Sequence, residues 1–122
     1  MCKTILIVED EMINALFLKH LIQLSGYKCC GIVTRGDDAI KKALELNPDL
    51  ILMDIFLSDN IDGIQASEYI HKQKFIPIIF ITASSDKETY ERAQSVKYNA
   101  FLRKPFNNEE LTTQIVQTLK IS

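Results

Sequence analysis

Five short apolar runs, each followed by a longer stretch of helical periodicity, constrain this chain more than any other feature. The runs are Thr4–Val8, Cys29–Val33, Leu50–Met53, Ile78–Ile81 and Ala100–Leu102. The first, third and fourth are continuously apolar rather than alternating, which suits strands covered on both faces in a parallel sheet. Pro48 and Pro77 stand just upstream of two runs, where a missing N–H is tolerated. Between the runs, Ile13, Leu16, Phe17, Leu21 and Leu24 share one face of a first helix that Gly26 closes. Ile40, Ala43 and Leu44 mark a second helix, and Ile64, Ser67 and Ile70 a third. A fourth, over about 86–96, opens on a capping-box pattern from Ser85 to Glu88 and has a thin stripe of Tyr90, Ala93 and Val96. The fifth opens on Asn107 and Glu110 and carries Leu111, Ile115 and Leu119.

These units run on without a composition break, so residues 1–122 are expected to form one α/β domain with no output domain. The architecture predicted is a doubly wound, flavodoxin-like, five-stranded parallel sheet with five helices over both faces. Right-handed crossovers can cover both faces only if strand order reverses, most simply as 2-1-3-4-5. A length of 122 residues suits a single core. With 14 Lys and Arg against 16 Asp and Glu, the net charge is −2, and no basic block attracts nucleic acid or an anionic membrane. The opening apolar run meets Glu9, Asp10 and Glu11 at once, unlike a signal peptide or a membrane span. Cys2, Cys29 and Cys30 have neither the number nor the spacing of a disulfide framework or a zinc site, and read as reduced thiols of a cytoplasmic protein.

The chemistry lies in the residues at the carboxyl end of each run. Strand 1 leads into Glu9 and Asp10, strand 3 into Asp54, strand 4 into Thr82 and strand 5 into Arg103 and Lys104. In a parallel sheet these ends share one edge, beside the point where strand order reverses and ligands bind. Three carboxylates, a hydroxyl and an ammonium then converge. Clustered carboxylates must take up protons or hold a cation, because one lysine cannot neutralise three of them. Oxygen-only ligands in a partly open site suit Mg²⁺. Asp54 ends the most uniformly apolar strand and is the best placed nucleophile toward phosphorus, with Lys104 as a fixed positive charge. Charged residues also end strands merely because strands reach solvent, but here the cluster lies wholly at carboxyl ends. Asp49 and Lys3, at amino ends, read as solvated.

Glu9-Asp10, Asp54, Gly63, Thr82-Ala83 and Lys104-Pro105-Phe106 resemble, in order and spacing, the motif set of receiver domains of two-component response regulators. The resemblance runs from Ile5 to Leu119. It implies that Asp54 accepts a phosphoryl group from a phosphohistidine on a sensor histidine kinase or phosphotransfer protein. It implies Mg²⁺ held by Glu9, Asp10, Asp54 and the backbone carbonyl of Phe56, and phosphoryl binding by Thr82, Ala83 and Lys104. Thr82 and Phe101 would be the switch residues, and Lys104–Pro105 a cis peptide, the one bond type where cis is cheap. It also implies a regulatory phosphoacceptor rather than an enzyme. Its output surface would be the fourth helix, fifth strand and fifth helix, with Glu91, Gln94, Lys97, Tyr98, Phe101 and Arg103 facing outward to dock a partner or a second copy. Direct contact with nucleic acid or membrane is not expected.

The chain departs from that pattern in places. The loop from Ile55 to Gly63 is one residue longer than the commonest family version and has Ser58 where Pro is usual, and Phe101 replaces a Tyr. Phe56 is large and apolar, and its ring is expected to crowd the approach of water and lengthen the life of an acylphosphate. His20 reads as a helix-boundary residue, His71 as a favourable charge at a solvated helix end, and Cys29 with Cys30 as core packing. Asp62-Gly63 lacks the spacing of a calcium loop and reads as a turn into the third helix. Two alternatives compete. An aspartyl-nucleophile phosphatase would need a second acid where Phe56 stands. A receiver-like module binding partners without phosphate would have no need of three clustered carboxylates.

Overall fold

Strands Thr4–Val8 (β1), Lys28–Val33 (β2), Leu50–Asp54 (β3), Ile78–Thr82 (β4) and Ala100–Arg103 (β5) alternate with helices. The helices are Met12–Leu24 (α1), Gly36–Leu46 (α2), Gly63–Gln73 (α3), Lys87–Ala93 (α4) and Asn108–Ile121 (α5). The structure, a computed structural model, describes residues 2–57, 60–83, 86–98 and 100–121. All neighbouring strands pair in parallel, in the order β2-β1-β3-β4-β5 expected from the sequence.

The continuous apolar runs are explained by two cores, one on each face of the sheet. Leu6, Val8, Ile51, Met53 and Phe80 point to one face, where Ala39, Ala43, Ile64 and Ile70 of α2 and α3 cover them. Ile5, Ile7, Leu52, Ile79 and Ile81 alternate to the other, beneath Ala15, Leu18 and Ile22 of α1 and Leu111 and Ile115 of α5. β3 lies at the centre with every residue buried, and each large side chain there contributes roughly 1.5–3 kcal/mol of burial. At the sheet edge, β2 is only half-covered. Cys29 packs toward one core and Cys30 toward the other, as expected.

α1 differs from the expected packing. Its buried residues are Ala15, Leu18, Leu21 and Ile22, while Ile13 is 83% exposed, Leu24 72%, and Leu16 and Phe17 52% each. The helix carries two apolar stripes, and the one with the small Ala15 lies against the sheet, where a short side chain permits close approach. α2 follows the same rule, burying Ala39 and Ala43 and leaving Leu44 exposed. Gly26 ends α1 at φ +92°, where a side chain would be strained.

Other helix ends come from local side chains. Asp62 and Gln65 form a reciprocal capping box on α3. Asn107 and Glu110 do the same on α5, at 2.7 and 3.5 Å. α4 is capped by Asp86 through the Glu88 N–H. The expected cap, Ser85, lies outside the described residues, and the helix ends at Ala93, short of Val96. Asp49 is not merely solvated: its carboxylate accepts from the Thr4 N–H at 2.8 Å, tying β3 to β1. His71 is half-buried, with Nε2 3.0 Å from the Ile76 carbonyl and its ring 5.1 Å from that of Phe75. His20 and Lys3 are exposed. Among the described residues no helix is long and apolar enough to cross a membrane.

Candidate functional site

The carboxyl ends of β1, β3, β4 and β5 lie side by side, and the residues after them turn toward a common centre. Glu9 is fixed where β1 ends by its N–H to the Val33 carbonyl, 3.0 Å. Lys104 follows β5, and its N–H reaches the Thr82 carbonyl at 2.8 Å. The Lys104–Pro105 peptide is cis, as expected. Glu9, Asp10 and Asp54 each offer one carboxylate oxygen, all within 4.8 Å of one another. Glu9 is 2% exposed and Asp54 7%, while Asp10 is half-buried.

Lys104 lies among these acids unevenly. Its ammonium donates to Glu9 Oε1 at 2.7 Å and stands 3.5 Å from Asp54 Oδ2. Burial, with the hydrogen bond and charge of Glu9, pushes the Asp54 carboxyl up to about 8, against the opposing pull of Lys104. Burial also works to raise Glu9, but hydrogen bonds with Asp54 and Lys104 outweigh it and hold Glu9 below the usual carboxylate range. Burial alone would lower Lys104. Glu9 and Asp54 reverse that and raise it. The two acids thus shift as a pair, Asp54 upward and Glu9, which has the nearer ammonium, downward. An all-oxygen donor set with surplus negative charge, open to solvent at Asp10, is chemically fitted to Mg²⁺.

The backbone behind Asp54 is held by a second set of contacts. The Ile55 N–H donates to the Ile81 carbonyl at 3.2 Å, and the Gly63 N–H donates to the Ile55 carbonyl at 2.6 Å. A Cβ on residue 63 would strike the Asp54 carbonyl oxygen and lie 2.9 Å from Ile55 Cα, so this close approach requires glycine. Asp62 spends one carboxylate oxygen on capping α3 and the other on Arg92 of α4, at 2.7 Å. Phe56 is 49% exposed beside the site, and Ser58 lies outside the described residues.

Thr82 is wholly buried at the end of β4, and Ala83 beyond it is exposed. Phe101 and Tyr98 do not simply face outward. Both are half-buried in an aromatic group, with Phe101 5.3 Å from Tyr90 and 6.4 Å from Phe80 between ring centroids. Glu91, Gln94, Lys97 and Arg103 are exposed as expected.

Sequence reasoning missed the ground beside the site. A cavity of about 270 Å³ lies between α1 and the segment after β5, lined by Glu9, Asn14, Phe17, Lys104, Pro105 and Phe106. The exposed stripe of α1 continues from it. The signal was present in the doubled apolar periodicity of α1.

Comparison with known proteins adds an independent line. The family model of the response regulator receiver domain matches residues 5–116. Among curated proteins, the response regulator ArlR of Staphylococcus haemolyticus is 38% identical over 118 residues, covering 95% of this chain and 52% of that protein. The transcriptional regulatory protein PdtaR of Mycobacterium tuberculosis is 33% identical over 113 residues, covering 93% and 55%. The chain thus spans about half the length of these curated relatives. Among solved structures, the signal receiver domain of a modulated diguanylate cyclase from Desulfovibrio desulfuricans superposes with a TM-score of 0.92 at 33% identity, covering 99% of this chain and 96% of that one. The receiver domain of a sensor histidine kinase from Pseudomonas aeruginosa, with a magnesium ion coordinated in its active site cleft, gives 0.89 at 29% identity, covering 98% and 99%.

Proposed function

The chain belongs to the response regulator receiver domain family, and on that premise we propose that it is a phosphorylation-controlled binding module whose phosphoacceptor is Asp54. The observation that carries this reading is the convergence of three carboxylates within 4.8 Å of one another with the Lys104 ammonium among them. A carboxylate oxygen of Asp54 would form the new O–P bond while the N–P bond of a partner's phosphohistidine breaks, its electron pair leaving on the imidazole nitrogen.

Glu9, Asp10, Asp54 and the backbone carbonyl of Phe56 are the groups that would hold Mg²⁺. The bound ion supplies positive charge that lets the acids coexist with an incoming phosphoryl group. Lys104 would exchange its contact with Glu9 for the phosphoryl oxygens, and Thr82 and the Ala83 backbone would bind the others. Movement of Thr82 would draw on Phe101, whose ring already sits in the aromatic group of Tyr90, Tyr98 and Phe80.

Regulation rather than turnover fits the residues. Phe56 stands where an aspartyl phosphatase would place its second acid. The phosphoryl donor is a histidine kinase or phosphotransfer protein, and the exposed apolar stripe of α1 beside the site is the surface it would cover. The α4–β5–α5 face would report the modification to a partner or a second copy. Sedimentation with and without beryllofluoride reads a second copy as a change of mass. The direct test of the whole reading is intact mass after acetyl phosphate and Mg²⁺. The wild type should gain one phosphoryl group and Asp54→Asn none, and no gain by the wild type overturns the reading.

A further inference from the structure

α4 is short, and few of its side chains hold it to the rest of the domain: Thr89 and Ala93 are buried and Tyr90 packs on Phe101. It has seven residues, and so short a helix has no stability of its own. An ion pair with another element compensates. Arg92 Nη2 lies 2.7 Å from Asp62 Oδ2, across thirty residues of chain, with the Asp62 side chain 21% exposed.

The other end of that contact leads straight to the site. Asp62 caps α3 through its second oxygen, and the next residue, Gly63, donates its N–H to the carbonyl of Ile55, which follows Asp54. The path from Asp54 to α4 is therefore Ile55, Gly63, Asp62 and Arg92, each step a covalent bond or a hydrogen bond of 2.7 Å or less. The absence of a Cβ at Gly63 keeps the Ile55 step tight.

We infer that the Arg92–Asp62 pair is a latch. It fixes α4 to the loop behind Asp54 in the unmodified chain and so weights the balance between two arrangements of the domain. The inference rests on the phosphoacceptor reading above. A contact made in one arrangement and lost in the other biases the equilibrium by its full worth. Opening the latch therefore favours the modified arrangement.

Two variants isolate the pair from its surroundings. Arg92→Ala removes the cation, and Asp62→Asn removes the charge while keeping a side chain that caps α3. In the unmodified protein the backbone amides of 87–93 should exchange with deuterium faster in each variant than in the wild type. Beryllofluoride with Mg²⁺, standing in for the phosphoryl group, should bind each variant about two- to fivefold more tightly, the range of a partly exposed pair. The double variant should match the single ones in both measurements. Wild-type exchange or wild-type affinity in either variant overturns the latch, and beryllofluoride binding by the wild type then leaves the phosphoacceptor reading standing. No beryllofluoride binding by the wild type overturns that reading and the latch's part in switching together.

Discussion

Lys104 pairs more closely with Glu9 than with Asp54: its ammonium is 2.7 Å from the Glu9 carboxylate and 3.5 Å from that of Asp54. The nearer ammonium favours the ionised form of Glu9, while burial and the charge of Glu9 push Asp54 toward its protonated form. Exchange of Lys104 from Glu9 to a phosphoryl group is the change in pairing that modification would bring.

The first prediction concerns pH in the absence of metal. The unfolded chain releases the Asp54 proton near its ordinary 3.8, whereas the folded chain keeps it up to about 8. This contribution to stability is complete below the unfolded value and is lost as pH rises through the folded one. Urea midpoints of the wild type in chelator should fall across that window relative to Asp54→Asn. Magnesium competes with the same proton, so its affinity by titration calorimetry should rise as pH approaches 8 and level off above it. A pH-independent affinity would mean that Asp54 is already ionised.

Removing the lysine exposes the cost of the acids. In Lys104→Ala, the Glu9 carboxylate, 2% exposed, loses its ammonium. Leaving a buried charge unpaired is expected to cost about 1–3 kcal/mol, less than for a fully buried pair because Lys104 is partly solvated. Urea denaturation in chelator measures it. Adding Glu9→Gln should recover part of the loss, and Mg²⁺ should narrow the gap between Lys104→Ala and the wild type.

Phe56 stands two residues beyond Asp54 with half its surface exposed. A ring there would crowd the side from which water attacks an acylphosphate, and a small polar side chain would admit and orient that water. Phe56→Asn should shorten the half-life of the phosphorylated domain severalfold, read by intact mass after the donor is removed. Equal half-lives, or a longer one in the variant, would discard the role of the ring.

The residues differ in how far the sequence betrayed them. β3 was legible because burial on both faces demands an unbroken apolar run, and Leu50 to Met53 is one. The acid cluster was legible because parallel strands share a carboxyl edge, which turns separate strand ends into one place. α1 was legible only in part: Leu21 is buried as expected, but Ile13, Leu16, Phe17 and Leu24 of the same face are exposed. The sheet selected the stripe containing Ala15, a choice made by the distance of approach rather than by hydrophobicity. Asp49 and His71 looked solvated, since their partners Thr4 and Ile76 are set by tertiary register. The Arg92–Asp62 pair joins two helices through geometry that no local pattern encodes.

The stripe left outside by α1 carries the last prediction. Ile13, Leu16, Phe17 and Leu24 are each more than half exposed, and Phe17 also lines the cavity that reaches Lys104. Contiguous exposed apolar side chains are a common feature of docking surfaces, and this stripe is the one proposed above for the phosphoryl donor. Ile13→Ser, at a position 83% exposed, should shift stability by no more than about 0.5 kcal/mol, whereas Phe17→Ser, at a half-buried position, should cost about 1–2 kcal/mol. If the phosphoryl donor docks here, each should slow transfer from the cognate kinase or phosphotransfer protein by about tenfold, the loss typical of an apolar anchor at an interface. Modification by acetyl phosphate, which needs no docking, should proceed in Ile13→Ser as in the wild type. Stopped-time phosphotransfer assays with the two donors side by side separate the effects. Equal slowing with both donors would assign the stripe to the geometry of the site, and equal rates with both would remove it from docking altogether.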